Sequence, residues 1–92
     1  MLELEFTQIG DDDALALANA PHLASLFYLD LKHNEITNKG AHAISLSPYF
    51  KALEHFELYL NCLTNDGRKS LANSPYLSED IRKHFAQLVH DE

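Results

Sequence analysis

Apolar residues return along the chain in register, 27 positions apart. Leu2, Leu29 and Phe56 share a column, as do Leu4, Leu31 and Leu58, then Ile9, Ile36 and Leu63, then Leu17, Ile44 and Leu71. A fixed period between about 20 and 50 residues marks a supersecondary unit that cannot bury its apolar face alone and must stack on its neighbours. Within one copy two periodicities follow each other. Leu29-x-Leu31 alternates, as a short strand with one buried face does, and from Asn38 onward Ala41, Ala43 and Ile44 recur at helical spacing. Pro48 closes the helix, because the residue before a proline is held away from helical backbone. Polar positions repeat as well: Asn34 and Asn61 after each strand, Gly40 and Gly67 in the helix, and Ala20-Pro21, Ser47-Pro48 and Ser74-Pro75 at the close. Asp11, Asn38 and Asn65 share the column where each helix starts, and their side chains are expected to accept a hydrogen bond from a first-turn N–H. Each unit is therefore strand, turn, helix and return loop.

The pattern Leu26-x-x-Leu29-x-Leu31-x-x-Asn34-x-Ile36 and its echo Leu53-x-x-Phe56-x-Leu58-x-x-Asn61-x-Leu63 resemble the leucine-rich repeat. The stretch Gly40-Ala41-His42-Ala43-Ile44 is similar to the helical, ribonuclease-inhibitor type of that family. The closes Ser47-Pro48-Tyr49 and Ser74-Pro75-Tyr76 resemble its bacterial members. The resemblance covers roughly residues 2 to 79. It implies an α/β fold, a short right-handed leucine-rich-repeat solenoid with parallel strands on a concave face and helices outside. It also implies protein binding as the usual role, although fold analogy alone does not set function.

The organisation expected is three repeats, 1–25, 26–52 and 53–79, followed by 80–92 as a C-terminal capping helix and tail. Past Ser78 the register fails, since Asp80 and Lys83 stand where apolar residues would be required. Ser78 is a plausible N-cap, and Ile81, Phe85, Leu88 and Val89 form a short stripe suited to covering the last repeat or, in the alternative, to a partner helix. The first copy departs from the others, with Thr7 in the asparagine column and Asp13 in the glycine column. A threonine has fewer donors than an asparagine amide, so a looser first turn is expected. The counterpart of Leu26 would precede Met1, so the N-terminal edge is expected to be covered either by upstream repeats or a domain, or by a second copy of the chain.

Strand alternation places candidate contact residues on the concave face. With Leu29 and Leu31 inward, Tyr28, Asp30 and Lys32 point outward, together with Glu3 and Glu5 from the first copy and His55, Glu57 and Tyr59 from the third. Glu3, Asp30 and Glu57 form one acidic column. Parallel strands are about 4.8 Å apart, and unit charges at about 5 Å repel by only about 0.8 kcal/mol in water. Such a ladder is cheap enough to exist as a solvated face. The flanking Tyr28 and Tyr59 favour the binding reading, since rigid amphipathic rings are common contact anchors. The expected partner is a protein or peptide of basic character.

Charge and composition narrow the picture further. The chain has 14 acidic against 7 basic residues and a net charge of −7 with histidines neutral, and no basic stripe repeats, which disfavours nucleic acid. Six histidines fall in different columns without an i, i+4 pair, and the one cysteine, Cys62, has no intramolecular partner, so neither a metal cage nor a disulfide is expected. The run Asp11-Asp12-Asp13 lacks calcium-loop spacing and suits the positive end of the first helix. No phosphate loop or nucleophile elbow appears, and no cofactor or catalysis is expected. The lone thiol fits a reducing compartment. The opening Met1-Leu2-Glu3-Leu4-Glu5 carries no signal core and no membrane-length apolar run occurs, so the expectation is a cytoplasmic interaction module. Two alternatives stand beside it: a C-terminal recognition or scaffold segment of a larger protein, and a self-associating structural piece joined through its N-terminal edge.

Overall fold

Three short strands, β1 (Leu2–Glu3), β2 (Tyr28–Asp30) and β3 (His55–Glu57), form a parallel sheet in the order β1-β2-β3 in the computed structural model, which describes residues 1–90. Leu2 pairs with Leu29 and Glu3 with Asp30, and Leu29 pairs in turn with Phe56 and Asp30 with Glu57. The sequence period is thus the strand register. Each strand leads into a helix: α1 (Asp11–Ala18), α2 (Asn38–Ser45) and α3 (Asn65–Ala72), with α4 (Glu79–Leu88) last. Neighbouring helices pack in chain order, α1 on α2, α2 on α3, and α3 on α4. Short 3-10 turns at Pro21–Leu23 and Pro48–Phe50 start at the repeated prolines, whose fixed φ suits the first turn position.

The core lies between sheet and helices. Leu29, Leu31, Ile36, Ile44 and Phe50 of the middle copy are fully buried, because copies flank it on both sides. At about 1.5–3 kcal/mol for each large apolar side chain, this column set is the main source of stability. Leu2, Leu4 and Leu17 of the first copy are only partly buried. On the other side, α4 lays Ile81 and Phe85 onto the third copy, with the Phe85 ring 5.7 Å from that of Phe56. Ser78 caps α4 by accepting from the Ile81 N–H at 3.3 Å.

The column at the helix starts works differently from expectation. The N-cap residues are Gly10, Thr37 and Thr64, and Asp11, Asn38 and Asn65 are the first helical residues. Their side chains point along the stack and serve what comes next. Asp11 accepts from the Thr37 and Gly40 N–H groups of the second copy at 2.8 and 2.9 Å, and from the Thr37 hydroxyl. Asn38 accepts from Thr64 and Gly67 of the third copy, both at 3.0 Å, and donates to the Thr64 hydroxyl. Asn65 exchanges hydrogen bonds with the backbone of His90. The glycine column follows from this. A Cβ at Gly40 would sit 2.5 Å from Asp11 Oδ1, and one at Gly67 would sit 2.5 Å from Asn38 Oδ1.

Two further columns join the copies. Asn34 takes Ile9 N–H on Oδ1 and donates to the Leu4 and Leu31 carbonyls, and Asn61 does the same with Ile36, Leu31 and Leu58. Ser47 and Ser74 donate to the Ala18 and Ser45 carbonyls of the preceding copy at 2.7 and 2.6 Å. In the first copy the corresponding residues are Thr7 and Ala20. The Thr7 hydroxyl donates locally to the Leu4 carbonyl at 2.5 Å and reaches Asn34 Oδ1 at 3.5 Å, while the Thr7 N–H donates to the same Asn34 oxygen at 3.1 Å. This leaves a simpler first turn, held from the second copy by Asn34.

Candidate functional site

The candidate site is the outward face of the strands and of the turns that follow them. Parallel register brings Tyr28 beside His55, and their rings stack at 4.3 Å with an interplanar angle of 6°. One level on, Asp30 lies between Glu3 and Glu57. Next comes Lys32, whose Nζ is 3.2 Å from Glu57 and 3.6 Å from Asp30. Glu5 meets the His33 imidazole at 2.7 Å, and His33 stacks on Phe6 at 4.1 Å. Tyr59 projects freely and is 69% exposed.

The expected acidic ladder is therefore altered in two respects. Asp30 is buried, with 4% of its surface exposed, and cannot serve as an open contact. It belongs to the central strand, its carboxylate folds onto the Lys32 N–H at 3.0 Å, and the columns on both sides cover it. Glu57 is bridged by Lys32 and lies 3.5 Å from His55. Glu3 is exposed and has no ion-pair partner among the described residues. Burial and the charges of Asp30, Glu3 and Glu57 raise the Tyr28 phenol above its usual pKa, so it stays protonated and able to donate. The hydrogen bond to Glu57 raises the Lys32 ammonium, against some desolvation, and keeps it charged.

Sequence reasoning missed one column, Phe6, His33 and Leu60. All three take left-handed backbone, with φ of 61°, 55° and 60°, where side chains other than glycine are uncommon. Their backbone turns each strand into its asparagine turn and throws the side chain onto the rim of the face. Phe6 is 69% and Leu60 51% exposed. A bulky residue recurring two positions after the last strand leucine was the available signal. His33 and His55 join separate aromatic stacks.

No group of three or more metal-ligating side chains occurs among the described residues, and no described helix is long and apolar enough to cross a membrane. The face offers flat rings, a hydroxyl donor and compensated charges.

Residues 2–18 and 22–45, a little under half of the chain, match the family model described as Leucine Rich repeat. The match spans β1 through α2 and supports a leucine-rich repeat protein, in agreement with an α/β repeat fold on a three-stranded parallel sheet. Leucine-rich repeats generally mediate protein–protein interaction and are typically not enzymes. No curated protein and no solved structure matches the chain.

Proposed function

We propose that this chain is a non-catalytic interaction module, a short solenoid of the ribonuclease-inhibitor-like kind closed at its C-terminal end by α4, which binds a protein or peptide on its concave strand face. The observation that carries the reading is the pair of ring stacks, Tyr28 with His55 at the start of the strands and Phe6 with His33 beyond their ends, with the carboxylates of Glu3 and Glu57 at the level between them. Rigid aromatic anchors of this kind carry much of the free energy at protein interfaces. The partner offers a basic side chain beside an apolar one. An arginine or lysine laid over Tyr28 gains the ring face and the field of Glu3 and Glu57. Lys32 already offsets part of the acidic field, so the aromatic groups contribute more than the charges. The cytoplasm is the proposed setting, consistent with Cys62 as an exposed free thiol.

The test is peptide display against the purified chain, followed by affinity measurement on the selected peptides. Sequences pairing arginine or lysine with an apolar residue are expected. Tyr28→Ala should weaken them about tenfold, as for an interface anchor, and Glu3→Lys several-fold with a smaller salt dependence. Selected peptides that bind Tyr28→Ala and Glu3→Lys as tightly as the parent would refute the assignment of this face.

A further inference from the structure

Backbone N–H groups in three columns are satisfied in the first two copies by the copy that follows. Leu4 N–H donates to the Asp30 carbonyl at 2.8 Å, Phe6 N–H to the Lys32 carbonyl at 3.4 Å and Ile9 N–H to Asn34 Oδ1 at 3.0 Å. Leu31, His33 and Ile36 repeat the set, donating to the Glu57 carbonyl, the Tyr59 carbonyl and Asn61 Oδ1 at 2.9, 3.1 and 2.9 Å. The third copy presents the same three donors at Leu58, Leu60 and Leu63, and among the described residues none of them has a partner. Helix α4 does not supply one, since it packs on α3. Other groups at this end are engaged, with the Leu63 carbonyl taking Arg68 at 3.4 Å and Asn65 taking His90. The three open donors lie just past β3 and in the turn that follows it.

Those three residues also line one cleft. It has a volume of about 510 Å³ and is walled by Leu58, Leu60 and Leu63 on one side and by Phe85 and Leu88 of α4 on the other. Leu88 is 44% exposed and Leu60 51% exposed in its rim. Three donors at fixed spacing beside an apolar cleft specify a ligand. It must carry two backbone carbonyls two residues apart, an apolar side chain on the residue between them, and a side-chain oxygen three residues after that apolar one. Those are the relations of Asp30, Leu31, Lys32 and Asn34 in the second copy.

We propose that this cleft binds an extended segment of a partner protein, which joins the sheet beside β3 as a fourth parallel strand with an apolar residue in the cleft and an asparagine or aspartate three residues later. Strand addition of this kind takes affinity from main-chain hydrogen bonds and specificity from side-chain pockets. The site is distinct from the stacked-ring face, although Glu57 and Tyr59 adjoin both.

The experiment titrates the isotope-labelled full chain with a synthetic peptide copying residues 27–36, which presents the required groups to β1 within the protein itself. Saturable binding is expected, with slowed hydrogen exchange at the Leu58, Leu60 and Leu63 amides. A peptide carrying the Asn34→Ala change should bind about tenfold more weakly, the effect of one lost buried hydrogen bond. Leu88→Glu should weaken the parent peptide by at least as much, and the peptide comparison decides on its own where that variant does not fold. Absence of saturable binding, binding that leaves those three amides unchanged, or equal binding of the alanine peptide would overturn the proposal.

Discussion

Joining of the second and third copies through Asn38 can be tested by a double-mutant cycle with Gly67. Asn38→Ala removes acceptance from the Thr64 and Gly67 N–H groups at 3.0 Å and donation to the Thr64 hydroxyl at 2.8 Å. At about 0.5–1.5 kcal/mol net for each hydrogen bond, discounted for partial exposure, the expected loss is about 2 kcal/mol. Gly67→Ala lies in the first turn of α3, where alanine alone would gain up to about 1 kcal/mol in helix propensity. The new Cβ would stand 2.5 Å from Asn38 Oδ1, however, so the amide must leave and its three bonds go with it. The net effect is a loss of about 1–2 kcal/mol. In the double variant the oxygen is already absent, and the closest remaining neighbours are Leu63 Cγ at 3.1 Å and Asn38 Cα at 3.3 Å. Its cost should be close to that of Asn38→Ala alone, a coupling of about 1–2 kcal/mol. Urea unfolding of the four proteins measures this directly. Additive single effects would refute the steric link between the two columns.

Two further outcomes follow from neighbouring geometry. Burial raises the Asp11 carboxyl, but hydrogen bonds from the Thr37 hydroxyl and the Thr37 and Gly40 amides, with the charge of Lys39, outweigh it and hold the group below its ordinary pKa. The charged form is therefore favoured by folding. Its contribution is complete above the ordinary carboxylate range near about 4 and is lost as pH falls through the lower folded value. Asp11→Asn should keep the bonds to Thr37 and Gly40, as Asn38 does for Thr64 and Gly67, and flatten urea midpoints across that acidic window; an unchanged slope would count against it. Phe85→Ala should cost about 3–5 kcal/mol, since the ring is buried against Phe56. A loss under about 1 kcal/mol in thermal or urea unfolding would show that α4 is not integral to the fold.

The strand register was legible because a backbone repeat and an apolar column are the same fact seen twice: Leu2 pairs with Leu29 and Leu29 with Phe56 wherever the period is constant. The reach of side chains between copies was harder to see. Asp11, Asn38 and Asn65 satisfy every local criterion for capping their own helices, and only stacking shows that the backbone they meet belongs to the next unit. The clue was the joint pattern of columns, Gly40 opposite Asp11 and Gly67 opposite Asn38 of the copy before each. Asp30 was placed on the correct face but not seen to be covered, because alternation gives direction without depth. In a three-stranded sheet the middle carboxylate has neighbours on both sides and a lysine two positions on. Exposure of Phe6 and Leu60 was invisible for the opposite reason, since left-handed backbone at bulky residues breaks the alternation rule.

The two ends of the stack differ in kind, and that difference bears on what can dock there. Asn and Ser reach backward to the preceding copy, and the glycine makes room for the oxygen that copy supplies; the first copy has Thr7, Ala20 and Asp13 in those three columns. A second chain stacked head to tail would bring its Asn65 against the Asp13 side chain, where the equivalent approach at Gly40 and Gly67 is 2.5 Å to a Cβ. Its Asn65 would also have to surrender the backbone of His90. A whole repeat is thus a poor fit at that junction. A lone strand is different, because it needs none of the helix-side contacts. At the third copy α4 and Arg68 already occupy the helix-side positions, while Leu58, Leu60 and Leu63 still offer their N–H groups. The geometry that discourages polymerisation of the chain therefore leaves room for a single extended segment of a partner.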